Sequence, residues 1–176
     1  MKRMMRSRNK QEEFLALVLV LMGVFFRVLP HPDNFTPTTA IALFAGVTLS
    51  PALAFTVPLA VMVASDFFIG FHSTYPLVWA CFLFVTWLGQ SVREKEGVMP
   101  LAFATLGGSV LFFILTNLGV FFIDNLYPTT AQGLVECFTM ALPFFRSSLL
   151  GDFLYTAALF SIFELARRGI RAFQKA

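Results

Sequence analysis

Charge is what this chain has least of. Asp, Glu, Lys and Arg make up 13% of its 176 residues, about half the share found in soluble domains, so a soluble globular domain is excluded. Cysteine is also scarce. Cys81 and Cys137 have no metal-motif spacing, which leaves neither a disulfide framework nor a zinc site with support. There is no P-loop, so ATP hydrolysis by that route is excluded, and no HExxH or GxSxG motif stands anywhere in the sequence. No apolar stretch carries a regular arginine ladder, which rules out a voltage sensor. A proton-coupled carrier usually draws on a chain of membrane acids, and here only Asp66 and Asp152 qualify. No inverted repeat is visible, which argues against a classical secondary carrier.

What fills the chain is apolar. Hydrophobic residues reach 57%, Phe alone occurs 23 times, and the mean hydropathy is +0.76. A chain of this length holds about six spans of roughly 20 residues and little else. The expectation is one all-α integral membrane domain over residues 1–176, embedded in a lipid bilayer. The net charge of +3 resides in the tails: Lys2, Arg3, Arg6, Arg8 and Lys10 at one end, Arg167, Arg168, Arg171 and Lys175 at the other. Basic flanks of spans are topology signals that stay in the cytoplasm, not a nucleic-acid surface. Both termini are therefore expected inside, with an even number of spans. The first apolar run resembles a signal peptide, but it leads into Arg27-Val28-Leu29-Pro30 without a small-residue cleavage site and is read as a retained span.

Proline, glycine and polar breaks place the spans at about 14–29, 38–49, 52–70, 75–92, 100–123 and 147–166. Pro30-His31-Pro32 ends the first. Ser50-Pro51 is a tight inner turn with Pro in the first helical turn. Residues 70–74 and Asp124-Asn125 break the chain on the outer side, and residues 93–97 form a charged inner loop. Residues 130–142 are too few to span, so a short interfacial helix stopped by Pro143 is expected before the last span. The spacings Ala42-x-x-x-Gly46 and Ala60-x-x-x-Ala64 read as close-packing faces.

This threading leaves Asp33-Asn34, Asp66, His72, Tyr75, Cys81, Asp124, Tyr127, Arg146 and Asp152 at or near one face, the layout of a pocket open to the outside. Asp66 sits about four residues, roughly 6 Å, below the outer end of the third span. A carboxylate there is costly unless it faces a polar cavity or a partner. It either accepts hydrogen bonds from substrate or tethers the turn at 70–74. Cys81 falls at nearly the same depth on the fourth span; it is either a small hydrophobe or, facing a polar cavity, a soft donor for a transition metal. Tyr75 and Trp79 stand six and two positions before it. His72 either binds or satisfies loop carbonyls. Arg146 either pairs with Asp152 or binds an anionic group. Asn117 reads as interhelical glue and Cys137 as packing.

The stretches Arg27-Val-Leu-Pro-His-Pro-Asp-Asn-Phe-Thr-Pro, Ser65-Asp-Phe-Phe-Ile-Gly-Phe-His-Ser-Thr and Leu142-Pro-Phe-Phe-Arg-Ser-Ser-Leu-Leu-Gly-Asp resemble the small six-helix S-components of energy-coupling-factor transporters, over most of the chain from Arg27 to Ala166. Within that group, a cysteine early in the fourth span is similar to the one in solitary cobalamin transporters of the BtuM type. The resemblance implies a bacterial inner-membrane protein with a periplasm-facing pocket, a toppling mode of uptake and no dedicated ATPase module. It implies cobalamin as substrate, with Cys81 as axial cobalt ligand and Asp66, His72 and Tyr75 against the corrin side chains. Asn34, Phe35, Tyr127 and Arg146 would form the rim, and Trp79 completes the binding set. Thiolate ligation would loosen the opposite axial group, so slow removal of cyanide from cyanocobalamin is an accessory expectation; no catalytic residue and no intrinsic cofactor is expected. Two alternatives stand beside this one: an S-component for another vitamin or precursor, with Trp79 and Phe82 stacking on a flat solute, and a membrane scaffold or assembly factor with no substrate.

Overall fold

The computed structural model describes residues 2–173, with side chains described from Lys10 to Gly169 and at Ala172. The described residues form six α-helices: α1 Lys2–Val28, α2 Thr38–Thr48, α3 Pro51–Ile69, α4 Tyr75–Val92, α5 Val98–Gly119 and α6 Ala131–Phe173. Helix α5 runs on into a π turn, Val120–Asp124. The breaks lie where local chemistry demands them. Pro51 opens α3 behind Ser50, Gly70 ends it at φ 103°, a left-handed conformation that costs glycine little, and Asn125 ends the π turn at φ 53°.

One expected break is missing. The short helix that was to stop at Pro143 is the first part of α6, a single helix of 43 residues with Pro143 inside it. Proline removes one helical hydrogen bond. In apolar surroundings, unwinding would expose several backbone groups instead of one, so continuing the helix is the smaller cost.

Four segments are long and apolar enough to cross a membrane: Pro51–Ile69, Tyr75–Val92, Val98–Asp124 and Ala131–Gly169. Large apolar side chains also cover much of the outside, among them Phe14, Leu21, Phe67, Phe68, Phe103 and Leu150. In water that surface would drive association; against lipid it is the matching face. The chain is an all-helical protein with the surface of a membrane protein.

Helix α2 is the exception to this pattern. It has 11 residues, and Thr38 through Gly46 are all buried. At 1.5 Å per residue it is about 16 Å long, and its neighbours enclose it. Two apolar clusters are built on it. Ile41, Phe44 and Ala45 pack with Ala16 and Leu19 of α1, Ala54 and Val57 of α3, and Phe160 and Phe163 of α6. Ala42 and Leu43 pack with Met62, Phe82, Val85 and Ala104. Against α4 the backbones themselves touch: a Cβ on Gly46 would collide with the Thr86 carbonyl oxygen, and one on Gly89 with the Leu43 carbonyl oxygen. The small-residue face at Ala42 and Gly46 is thus a packing face, and Gly89 is its partner.

A buried helix end leaves carbonyls without partners. Arg93 answers this, its Nη2 donating to the carbonyls of Gly46 (2.7 Å) and Leu49. At the same end the Ser50 N–H donates to Glu12 Oε2 at 3.2 Å, pinning α1 to the start of α3.

Gly89→Leu is expected to lower stability by at least about 2 kcal/mol through overpacking. Gly107→Ala is the control: a Cβ at Gly107 meets nothing within 4 Å, and removing a helical glycine stabilises by up to about 1 kcal/mol. Thermal melts of the two variants in detergent, read against wild type, check both signs.

Candidate functional site

The first polar cluster joins α1, α3 and α4. Asp66 is almost fully enclosed, its side chain 1% exposed. One of its oxygens accepts from Arg27 Nη2 at 2.6 Å, and the other accepts from Trp79 Nε1 at 2.8 Å. The carboxylate is thus matched in charge and hydrogen bonds, as a buried ion pair requires. The Asp66 carboxylate does not tether the turn at 70–74; each of its oxygens carries a donor from α1 or α4. Among the described residues Arg27 Nε has no hydrogen-bond partner, and the residue lines a cavity.

The second cluster surrounds Asp152 on α6, which is 2% exposed. Asp152 Oδ2 lies 2.6 Å from Ser109 Oγ of α5, and Thr39 on α2 and Ser148 on α6 border the same cavity beside it. Arg146 does not pair with it. Arg146 is exposed, and among the described residues no cation forms a salt bridge with Asp152. Six residues on a helix place the two side chains well apart around the axis, which explains why the expected pair does not form.

Between these clusters lie two adjoining cavities whose walls share Asn34, Phe112 and Ser148. The more polar one, ≈ 400 Å³, is bounded by Arg27, His31, Thr36, Thr39, Phe82 and Asp152. The more apolar one, ≈ 250 Å³, is bounded by Phe113, Phe144, Phe145 and Val78, with Thr116, Asn117 and His72 among its polar groups. The Phe113 and Phe145 rings lie 4.5 Å apart between centroids, tilted by 33°. Such a site, apolar on one side with a few directed polar groups on the other, suits a small organic molecule.

Of the residues expected to form a site, Asn34 and His72 line these cavities. Asp66 and Trp79 stand behind the wall, holding Arg27. Tyr75 belongs to an aromatic cluster with Phe71 and Trp79. Phe35 packs on Gly151 and on the Tyr155 ring. Tyr127 is half-buried on the loop after the π turn, away from the cavity walls. Cys81 is 1% exposed and lines neither cavity, although its neighbour Phe82 does. Asn117 is not interhelical glue; its amide donates back to Phe113 O at 2.7 Å. Cys137 packs against that turn, its Sγ 3.5 Å from the Asn117 carbonyl.

Residues 7–173 match a family described as "Family of unknown function (DUF6580)". The chain belongs to that family. No curated protein and no solved structure matches it. The cavities of this DUF6580 chain draw on residues from every helix, all within the matched span.

The sequence places Asp152 at the outer face but does not point to Arg27 or Ser148 as cavity residues. In the sequence Arg27 reads only as a flank of the first span. Ser148 and Asp152 are four residues apart on one helical face, a signal that could have been read, and Ser109 offered no local sign that it would face them.

Removing one partner of the Arg27–Asp66 pair leaves a buried charge alone, at about 3–5 kcal/mol. Arg27→Met is therefore expected to destabilise strongly, and Arg27→Met with Asp66→Leu to recover most of the loss. Unfolding in detergent of the single and double variants reads the coupling directly; additive losses would contradict the pairing.

Proposed function

We propose that this protein is the substrate-binding component of an uptake system, capturing a small, flat, vitamin-sized solute or precursor. The observation that carries the reading is the two-part cavity, phenylalanine on one side and Arg27, Asn34 and Asp152 on the other. Vitamin-like molecules combine a flat ring with a few polar groups, and a cavity of this kind can desolvate the first while matching the second. Paired buried charges and hydroxyls among apolar helices are costly in a bilayer, and such residues usually mark a solute path. The scaffold alternative leaves the cavity without a role.

In this reading all six helices lie in the bacterial inner membrane as a bundle, with α2 enclosed and both termini on the cytoplasmic side. The basic residues at the chain ends support that orientation. The cavity then opens to the periplasm through the segment of Asn34 and the turn of His72.

Cobalamin is the second reading, supported by Cys81 on α4 next to the cavity residue Phe82. It requires the thiol to reach a cobalt ion, so the region around Cys81 must open on binding. The expected outcome of that reading is a corrin absorption spectrum shifted by the purified protein and left unshifted by Cys81→Ala; an identical spectrum with both proteins sinks cobalt ligation while leaving the cavity reading intact.

Native mass spectrometry of the protein released from gently solubilised membranes is expected to reveal a bound small molecule. Ser148→Leu, which fills the shared wall of both cavities, is expected to weaken its binding at least about tenfold, roughly 1.4 kcal/mol. A ligand held equally by the variant places the site elsewhere. For orientation, Asn125→Cys is expected to react with an impermeant maleimide on intact cells and Glu96→Cys only after lysis. Both positions are exposed, while the native Cys81 and Cys137 are buried.

A further inference from the structure

The charges around the cavities do not balance. Arg27 is matched by Asp66 at 2.6 Å, and that pair is neutral as a unit. His31 and His72 are exposed at the rim, in contact with solvent. What remains is Asp152, an enclosed carboxylate in the wall of the larger cavity, hydrogen-bonded to Ser109 and without a salt bridge among the described residues.

Its hydroxyl partner compensates it incompletely. Ser109 Oγ lies within bonding distance of both Asp152 Oδ2 (2.6 Å) and Thr105 O (2.9 Å), yet a hydroxyl has one proton to give. An ionised carboxylate offers about four acceptor positions. One bonded hydroxyl, itself drawn between two acceptors, leaves room for another donor. A buried carboxylate in this state is stabilised most by a positively charged group bearing N–H donors. The adjoining cavity supplies the other half of the recognition. Phe112 borders both spaces, and Phe113, Phe144 and Phe145 continue the aromatic wall, which suits a flat ring and adds attraction for a cationic one.

We infer that the solute is a positively charged or protonated nitrogen compound, its flat ring against the phenylalanine wall and its cationic N–H group on Asp152. Arg27 borders the same cavity with its guanidinium held by Asp66. This inference rests on the proposed solute-binding role and narrows its chemical class.

Three probes of nearly one shape separate charge from shape: benzamidine, cationic; benzamide, neutral; benzoate, anionic. Their effect on the melting temperature of purified wild-type protein is measured at about pH 8, where an ordinary carboxyl group is ionised. Benzamidine is expected to raise it in a concentration-dependent way, with benzamide and benzoate weaker by about tenfold or more in apparent affinity. In Asp152→Asn, which retains size and hydrogen-bonding capacity, the preference for benzamidine is expected to vanish. Benzoate or benzamide binding as well as benzamidine would overturn the charge assignment but leave a solute cavity standing. A benzamidine preference unchanged in Asp152→Asn would overturn the role of Asp152. No stabilisation by any probe would overturn both the assignment and the cavity reading. The wild-type comparison decides the charge preference even if the variant does not fold.

Discussion

Everything in this bundle is arranged around a helix that cannot stand alone. Helix α2 is 11 residues long and buried along nearly its whole length, so each of its faces needs a neighbour and each of its ends needs a hydrogen-bonding partner. The approach of α4 is set by Gly46 and Gly89, where backbone meets backbone. Arg93, at the end of α4, then falls beside the α2 carbonyls that need a donor. One close contact thereby fixes both the packing and the cap. Because α2 is so short, the space beyond its N-terminal end has no helix to fill it. That is where Thr39 on α2, Asn34 in the preceding segment, and Ser148 and Asp152 on α6 border the larger cavity. The cavity is a consequence of the short helix as much as of the residues that line it.

The second constraint is the ion pair on the α1–α3 seam. Its two residues are 39 positions apart, yet an antiparallel pair of helices brings them level. Glu12 and Ser50 secure the other end of the same seam, so α1 is held at both ends by polar contacts and between them by apolar ones. Trp79 adds α4 to the Asp66 cluster. Arg27 is therefore held from behind by a carboxylate, which orients a guanidinium at the cavity wall more firmly than its long side chain could manage alone.

Much of the fold was legible because its punctuation is strong. Ser50-Pro51, Gly70, the charged segment at 93–97 and Asp124-Asn125 bound helices within about two residues of their expected ends, as proline, glycine and left-handed asparagine should. Pro143 misled for the same reason: the rule that proline ends a helix is calibrated where water can satisfy the freed carbonyls, and it weakens among apolar surroundings. The site was harder. Helices apolar on nearly every side carry little information about which side faces in. Depth along a span is legible in the sequence, and Trp79 on α4 does reach Asp66 on α3. Rotation is not, so the sequence did not tell that Asp66 would meet Arg27 or that Cys81 would turn into the packing while Phe82 met the cavity.

The two buried aspartates illustrate why burial alone does not identify a functional group. Asp66 and Asp152 are equally enclosed, at 1% and 2% exposure, and sequence context distinguishes them poorly. Their partners distinguish them well. Asp66 has a guanidinium on one oxygen and an indole N–H on the other, a set that neutralises its charge. Asp152 has the Ser109 hydroxyl, which donates a hydrogen bond but brings no charge. That hydroxyl also faces a competing carbonyl. Retaining such a group against lipid-facing helices is expensive, and nothing in the packing requires it, since Ser109 would need no further acceptor if Asp152 were apolar and it bonded its own helix, as Ser65, Thr86 and Thr105 do. The arrangement makes physical sense if Asp152 is completed by something that enters the cavity, and Arg27 and the phenylalanine wall are then the means of orienting it.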